Sequence, residues 1–108
     1  LAAAVLRECG YHVIAAESGE AAIEIVQGHP GQIHLLVSDV VLPGMNGKDL
    51  SLRLRQMQRS MRVLFISGYT ADVIAHRGVL EDGVAYLAKP FGPEVLATKV
   101  REVLAESV

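Results

Sequence analysis

The chain has 108 residues, a formal net charge of −2 and a single cysteine, with 51% hydrophobic and 20% charged residues. These values fit one globular domain with a modest core and exclude a disordered chain. The slight negative charge argues against broad nucleic-acid or membrane-surface binding, the lone thiol excludes an internal disulfide and fits a reducing cytoplasm, and no apolar run is long enough to span a bilayer.

Periodicity alternates between helix and strand. Residues 1–9 read as a helix stopped by Gly10 at a C′ position, with Cys9 as a small core residue. The apolar start lacks the basic leader of a signal peptide. Residues 12–16 read as a short strand. Ser18 suits the N-cap of a helix over about 19–27, with Ala22, Ile23 and Val26 on one face, ended by Gly28 and Pro30. Residues 33–39 form a nearly continuous apolar run, as expected of a strand covered on both faces.

Leu42-Pro43-Gly44-Met45 is a loop, and Asn46 caps a third helix whose Leu50, Leu54 and Met57 should face the core. Arg53, Arg55, Arg59 and Arg62 read as a solvated helix face and the turn after it. Residues 62–67 form another buried strand. Thr70 can cap a short helix through about Arg77, closed by Gly78. Residues 84–89 form a strand, and Gly92-Pro93 opens a last helix with proline at its first position. Val95, Leu96, Val100, Val103 and Leu104 form its core stripe. Alternation of this kind implies a parallel α/β sheet with right-handed crossovers.

Three strand-like runs each end in a residue suited to phosphate chemistry: Asp39, Ser67 and Lys89. In a parallel sheet the carboxyl ends of the strands lie side by side, and ligands bind there. A carboxylate at such an end can attack a phosphoryl group to give an aspartyl phosphate. Nucleophile and donor are both anionic, so a hard divalent cation is needed, and magnesium suits carboxylate and phosphate oxygens. The Ser67 hydroxyl can donate to a phosphoryl oxygen, beside a Gly68 that leaves room for the donor. Lys89 can pair with another oxygen as a point charge. Pro90 holds Lys89 extended, and a cis Lys89–Pro90 bond suits a tight turn at that place. The four histidines, His12, His29, His34 and His76, are scattered without metal-ligand spacing.

These stretches resemble the receiver domain of two-component response regulators and hybrid histidine kinases. Ser38-Asp39-Val40-Val41-Leu42-Pro43-Gly44-Met45-Asn46-Gly47 is similar to the phosphoacceptor motif. Phe65-Ile66-Ser67-Gly68-Tyr69 is similar to the hydroxyl strand, and Tyr86-Leu87-Ala88-Lys89-Pro90-Phe91 to the lysine–proline strand. The resemblance covers the whole chain. It implies a flavodoxin-like doubly wound parallel sheet, with Asp39 as phosphoacceptor and Ser67 and Lys89 holding the phosphoryl oxygens. It implies magnesium on Asp39 and on the backbone carbonyl of Val41. Tyr86, Ser67 and Pro90 would form the switch, Tyr86 turning inward as Ser67 is drawn to the phosphate. The phosphoryl donor would be a phosphohistidine on a histidine kinase or a histidine phosphotransfer protein, with no direct nucleic-acid or membrane contact. Val41 and Tyr69, each two residues after a site residue, would influence dephosphorylation. A phosphatase of the haloacid dehalogenase type needs a second aspartate where this chain has Val41.

One departure stands out. Receivers begin with a central strand that ends in an acidic pair, and Leu1 already lies in the first helix. Four buried aliphatic side chains at roughly 1.5–3 kcal/mol each are worth about 6–12 kcal/mol, against a total domain stability of about 5–15 kcal/mol. The expectation is therefore a receiver fold over residues 1–108 that lacks its first, central strand and continues upstream in the natural protein. As it stands it would be aggregation-prone, take a strand from a partner or form a strand-swapped homodimer. The alternative to a phosphoacceptor is an unphosphorylated, receiver-like interaction module.

Overall fold

The computed structural model describes residues 2–42, 44–68 and 84–105. The expected helix from Thr70 and the position of Tyr69 lie outside the described residues, as does Leu1.

Helix α1 (Ala2–Glu8) ends in a Schellman turn. Gly10 adopts φ +95°, its N–H donates to the Arg7 carbonyl at 3.0 Å, and the Tyr11 N–H donates to the Leu6 carbonyl at 3.1 Å. Leu6 and Tyr11 join the same apolar layer, the contact that usually accompanies this turn. The turn leaves Cys9 exposed, which corrects its reading as a core residue.

Helix α2 (Gly19–Gly28) starts at Ser18, whose hydroxyl accepts from the Ala21 N–H. Strand β1 (Leu35–Asp39) begins two residues later than expected, because the Ile33 N–H is taken by the Gln58 side-chain oxygen at 3.0 Å instead of by a strand. A two-residue antiparallel pair follows, β2 (Val41–Leu42) with β3 (Met45–Asn46), where only a loop was expected. Gly44 between them sits at φ +81°, a conformation that glycine adopts without strain. Helix α3 (Gly47–Met57) is capped by Asn46, whose side chain accepts from the Asp49 N–H. Strand β4 (Arg62–Ser67), strand β5 (Val84–Ala88) and helix α4 (Pro93–Ala105) complete the described elements. Ser18→Ala and Asn46→Ala should each lower stability by about 1 kcal/mol in urea unfolding, because each strands an N-terminal amide. A loss near zero at either site would show that the cap is not formed in solution.

The strands β1, β4 and β5 form a parallel sheet in the order β1-β4-β5. Alternate side chains of β4 feed opposite layers, as strand geometry requires. Val63 and Phe65 pack with Val26, Leu50 and Leu54 beneath α2 and α3. Leu64 and Ile66 pack with Leu6, Leu96 and Val100 beneath α1 and α4. Both faces are covered, which explains the continuous apolar runs.

Two core assignments are corrected. Met57 is 39% exposed: α3 ends there, and Met61, beyond the turn, is buried in that layer instead. Val95 is 51% exposed, since it lies about 100° around the helix axis from Leu96, off the Leu96–Val100–Val103 stripe.

Residues 12–16 form no strand. A strand exists only through a ladder partner, and among the described residues none lies beside this segment. A groove of about 830 Å³ separates it from β1, whose one ladder partner among the described residues is β4.

Candidate functional site

Asp39 is the last residue of β1, in register with Ile66. The Val40 N–H donates to the Ile66 carbonyl at 3.2 Å and carries the ladder one step further. The Asp39 backbone is held from two sides. Its carbonyl accepts from the Ser38 hydroxyl at 2.9 Å, and Gly47 lies so close that a Cβ there would overlap this carbonyl and approach the Phe65 ring. The Gly47 N–H donates to the Val40 carbonyl at 2.7 Å. The start of α3 is thus fastened against the backbone of Asp39 and Val40.

Lys89 follows β5. Its N–H donates to the Ser67 carbonyl at 2.8 Å, so the backbone ladder brings it to the same sheet edge. Its Nζ lies 3.1 Å from Asp39 Oδ1, with the two side chains 52% and 49% exposed. An ion pair this wet contributes at most about 1 kcal/mol to stability. Its consequence is positional: an ammonium stands beside a carboxylate that solvent, and therefore a small anion, can reach.

Ser67 closes β4 and is buried, in register with Ala88. Tyr86 lies opposite Phe65 on β5 and packs partly buried against the layer beneath α2 and α3. The Lys89–Pro90 bond is cis, as the turn suggested. Val41 places its backbone in β2, paired with Asn46. The structure therefore joins Asp39 directly to Lys89, ties Lys89 to Ser67 through the backbone, and sets Tyr86 two strand positions inside the carboxyl end of β5. Among the described residues no cluster of three or more His, Cys, Asp or Glu side chains is arranged to hold a metal. Sequence reasoning gave no role to Ser38 or Gly47. A glycine directly after a helix-capping asparagine was the available signal, but the contact that requires it is tertiary.

The fold and site define a parallel α/β domain that gathers a carboxylate, a hydroxyl and an ammonium at its strand ends. The chain belongs to the response regulator receiver domain family, whose model matches residues 1–101. It is 38% identical over 99 residues to the sensor kinase CckA of Brucella abortus, covering 92% of this chain and 10% of that one. It is 29% identical over 99 residues to the response regulator receiver protein CpdR of the same organism, covering 92% of this chain and 81% of CpdR. The crystal structure of the receiver domain from the hybrid histidine kinase CckA superposes with a TM-score of 0.79 at 39% identity, covering 95% of this chain and 85% of that one. The fold is thus the flavodoxin-like receiver fold, and the family is one of two-component signal transduction. Among the described residues no helix is long and apolar enough to cross a membrane.

Proposed function

We propose that this chain is a phosphoacceptor, with Asp39 taking a phosphoryl group from a phosphohistidine on a histidine kinase or phosphotransfer protein. The observation that carries this reading is the Lys89 Nζ at 3.1 Å from a half-exposed Asp39 carboxylate at the sheet's carboxyl edge. A carboxylate oxygen attacks phosphorus, the P–N bond breaks, and the imidazole leaves as it gains a proton. Lys89, 3.1 Å from the carboxylate, would follow the incoming negative charge. The Ser67 hydroxyl supplies a neutral donor, and its movement toward the phosphate, with Tyr86 and Pro90 responding, would be the switch. A phosphate adds about −1.5 to −2 charge and can draw such groups into new contacts.

The donors present suit magnesium, which takes one or two carboxylates, keeps several waters and uses phosphate oxygens for the rest. The Asp39 carboxylate and the Val41 carbonyl would hold it, and the ion would offset the repulsion between carboxylate and phosphoryl oxygens.

Incubation with magnesium and acetyl phosphate should add one phosphoryl group, mapped to Asp39 by peptide mass spectrometry. No uptake by a folded sample would favour the unphosphorylated interaction module. Val41, two residues after the acceptor, cannot position a water for hydrolysis. The label should therefore persist for minutes without a phosphatase, and decay within seconds would contradict that.

A further inference from the structure

We propose that one ridge of α3 is a docking surface for an acidic helical segment of a partner protein. Leu50, Ser51 and Leu54 are the buried side of this helix. Lys48, Leu52 and Arg55 follow an i, i+4, i+7 spacing and so share a second face. Leu52, in the middle of that ridge, is 48% exposed. Arg59 is exposed in the turn just beyond the helix. A lone exposed leucine needs no explanation, but this one is framed by cations. Residues 48–59 carry four of the ten Lys and Arg side chains of the chain, with Asp49 as their one acid. Asp49 sits in the first turn, where the helix dipole favours a carboxylate.

The ridge is held rigid at both ends. Asn46 caps its start. At its end the Arg55 Nε donates to the Met61 carbonyl at 3.2 Å, and the Nη groups keep their N–H donors for a carboxylate. The Gln58 side chain accepts from the Ile33 N–H at 3.0 Å and donates to the Gly31 carbonyl at 3.1 Å. A surface fixed in this way loses little conformational freedom when a partner docks.

The chemistry of the occupant follows from the charges and from Leu52. The cations call for carboxylates, and the leucine calls for an aliphatic side chain between them. A phosphate backbone would satisfy the arginines and leave Leu52 against charge. The rest of the chain carries six basic and eleven acidic side chains, which disfavours any broad anionic surface. The four-then-three spacing is that of one seam of a helix pair, and an 11-residue helix is about 16 Å long. The complement is therefore a helix of about three turns with an aliphatic residue between two carboxylates. The surface does not involve Asp39, so the unphosphorylated chain serves for the test.

The ¹⁵N-labelled 108-residue chain is titrated with an alanine-based helical peptide that carries glutamate, leucine and glutamate at i, i+4 and i+7. Amide shifts should saturate and concentrate in residues 46–59. Arg59→Glu should weaken binding about tenfold, as a charge reversal inside an interface does, and Leu52→Ser about fivefold, from lost apolar contact. Both positions are exposed, so the fold should survive either change. Arg53→Glu makes the same change in net charge, but at a helix position outside the ridge, and should leave binding within about twofold. Absence of saturable shifts, equal binding of a peptide with lysines in place of the glutamates, or equal weakening by Arg53→Glu would each overturn the proposal. So would tighter binding of a DNA oligonucleotide or of phosphatidylglycerol vesicles than of the peptide.

Discussion

Asp39→Asn is expected to take up no phosphoryl group from acetyl phosphate, and Lys89→Ala to take it up about 10²–10³-fold more slowly, as when one preorganised stabilising group is removed. The asparagine amide keeps the shape of the carboxylate but not its nucleophilic oxygen. The lysine change leaves the proposed nucleophile and removes the charge that would face the arriving phosphoryl oxygens. Stability should barely follow. The pair is about half exposed on both sides, so either change should move the urea midpoint by no more than about 0.2–1 kcal/mol of unfolding free energy. Intact-protein mass spectrometry against time, with a urea titration of each variant, separates the two readouts. An Asp39→Asn protein that labels at the native rate would move the acceptor elsewhere. A Lys89→Ala protein that labels normally would reduce the 3.1 Å contact to a surface ion pair.

The site was legible because it depends on strand ends. Asp39, Ser67 and Lys89 each close an apolar run, and a parallel sheet aligns such ends whatever the loops do between them. The caps Ser18 and Asn46 were legible for a similar reason, since the side chain that satisfies the helix end is local. Misread residues failed where the outcome depends on distant neighbours. Residues 12–16 carry a strand composition, but a strand requires a partner, and the described neighbour is a groove. Met57 has the right helical spacing, yet Met61 fills the core beneath the end of α3. The β2–β3 pair was hidden because Leu42, Gly44 and Met45 read equally well as a loop, and only the pairing of Val41 with Asn46 and of Leu42 with Met45 distinguishes them.

Gly47→Val is expected to be the most disruptive single change at the site, costing more than the about 1–3 kcal/mol usual for overpacking. The reason is what surrounds the position. A Cβ on Gly47 would overlap the Asp39 carbonyl and lie 2.9 Å from Phe65 Cε1. The carbonyl is backbone, fixed by the β1–β4 ladder and by the Ser38 hydroxyl, so it cannot swing away as a side chain would. The Phe65 ring is 1% exposed and has nowhere to go. The Gly47 N–H is itself held by the Val40 carbonyl at 2.7 Å, which blocks escape through a shift of α3. Gly44→Ala is the informative comparison. That position has nothing within 4 Å of a Cβ and a φ of +81°, so its cost is conformational alone, about 1–2 kcal/mol. Urea unfolding should therefore rank Gly47→Val well below Gly44→Ala. Of the two, only Gly47→Val should also slow phosphoryl uptake in whatever fraction stays folded, because its clash bears on the peptide that carries Asp39. Equal losses for the two variants, or a normally stable Gly47→Val protein, would show that α3 is not pinned against the Asp39 backbone as the structure has it.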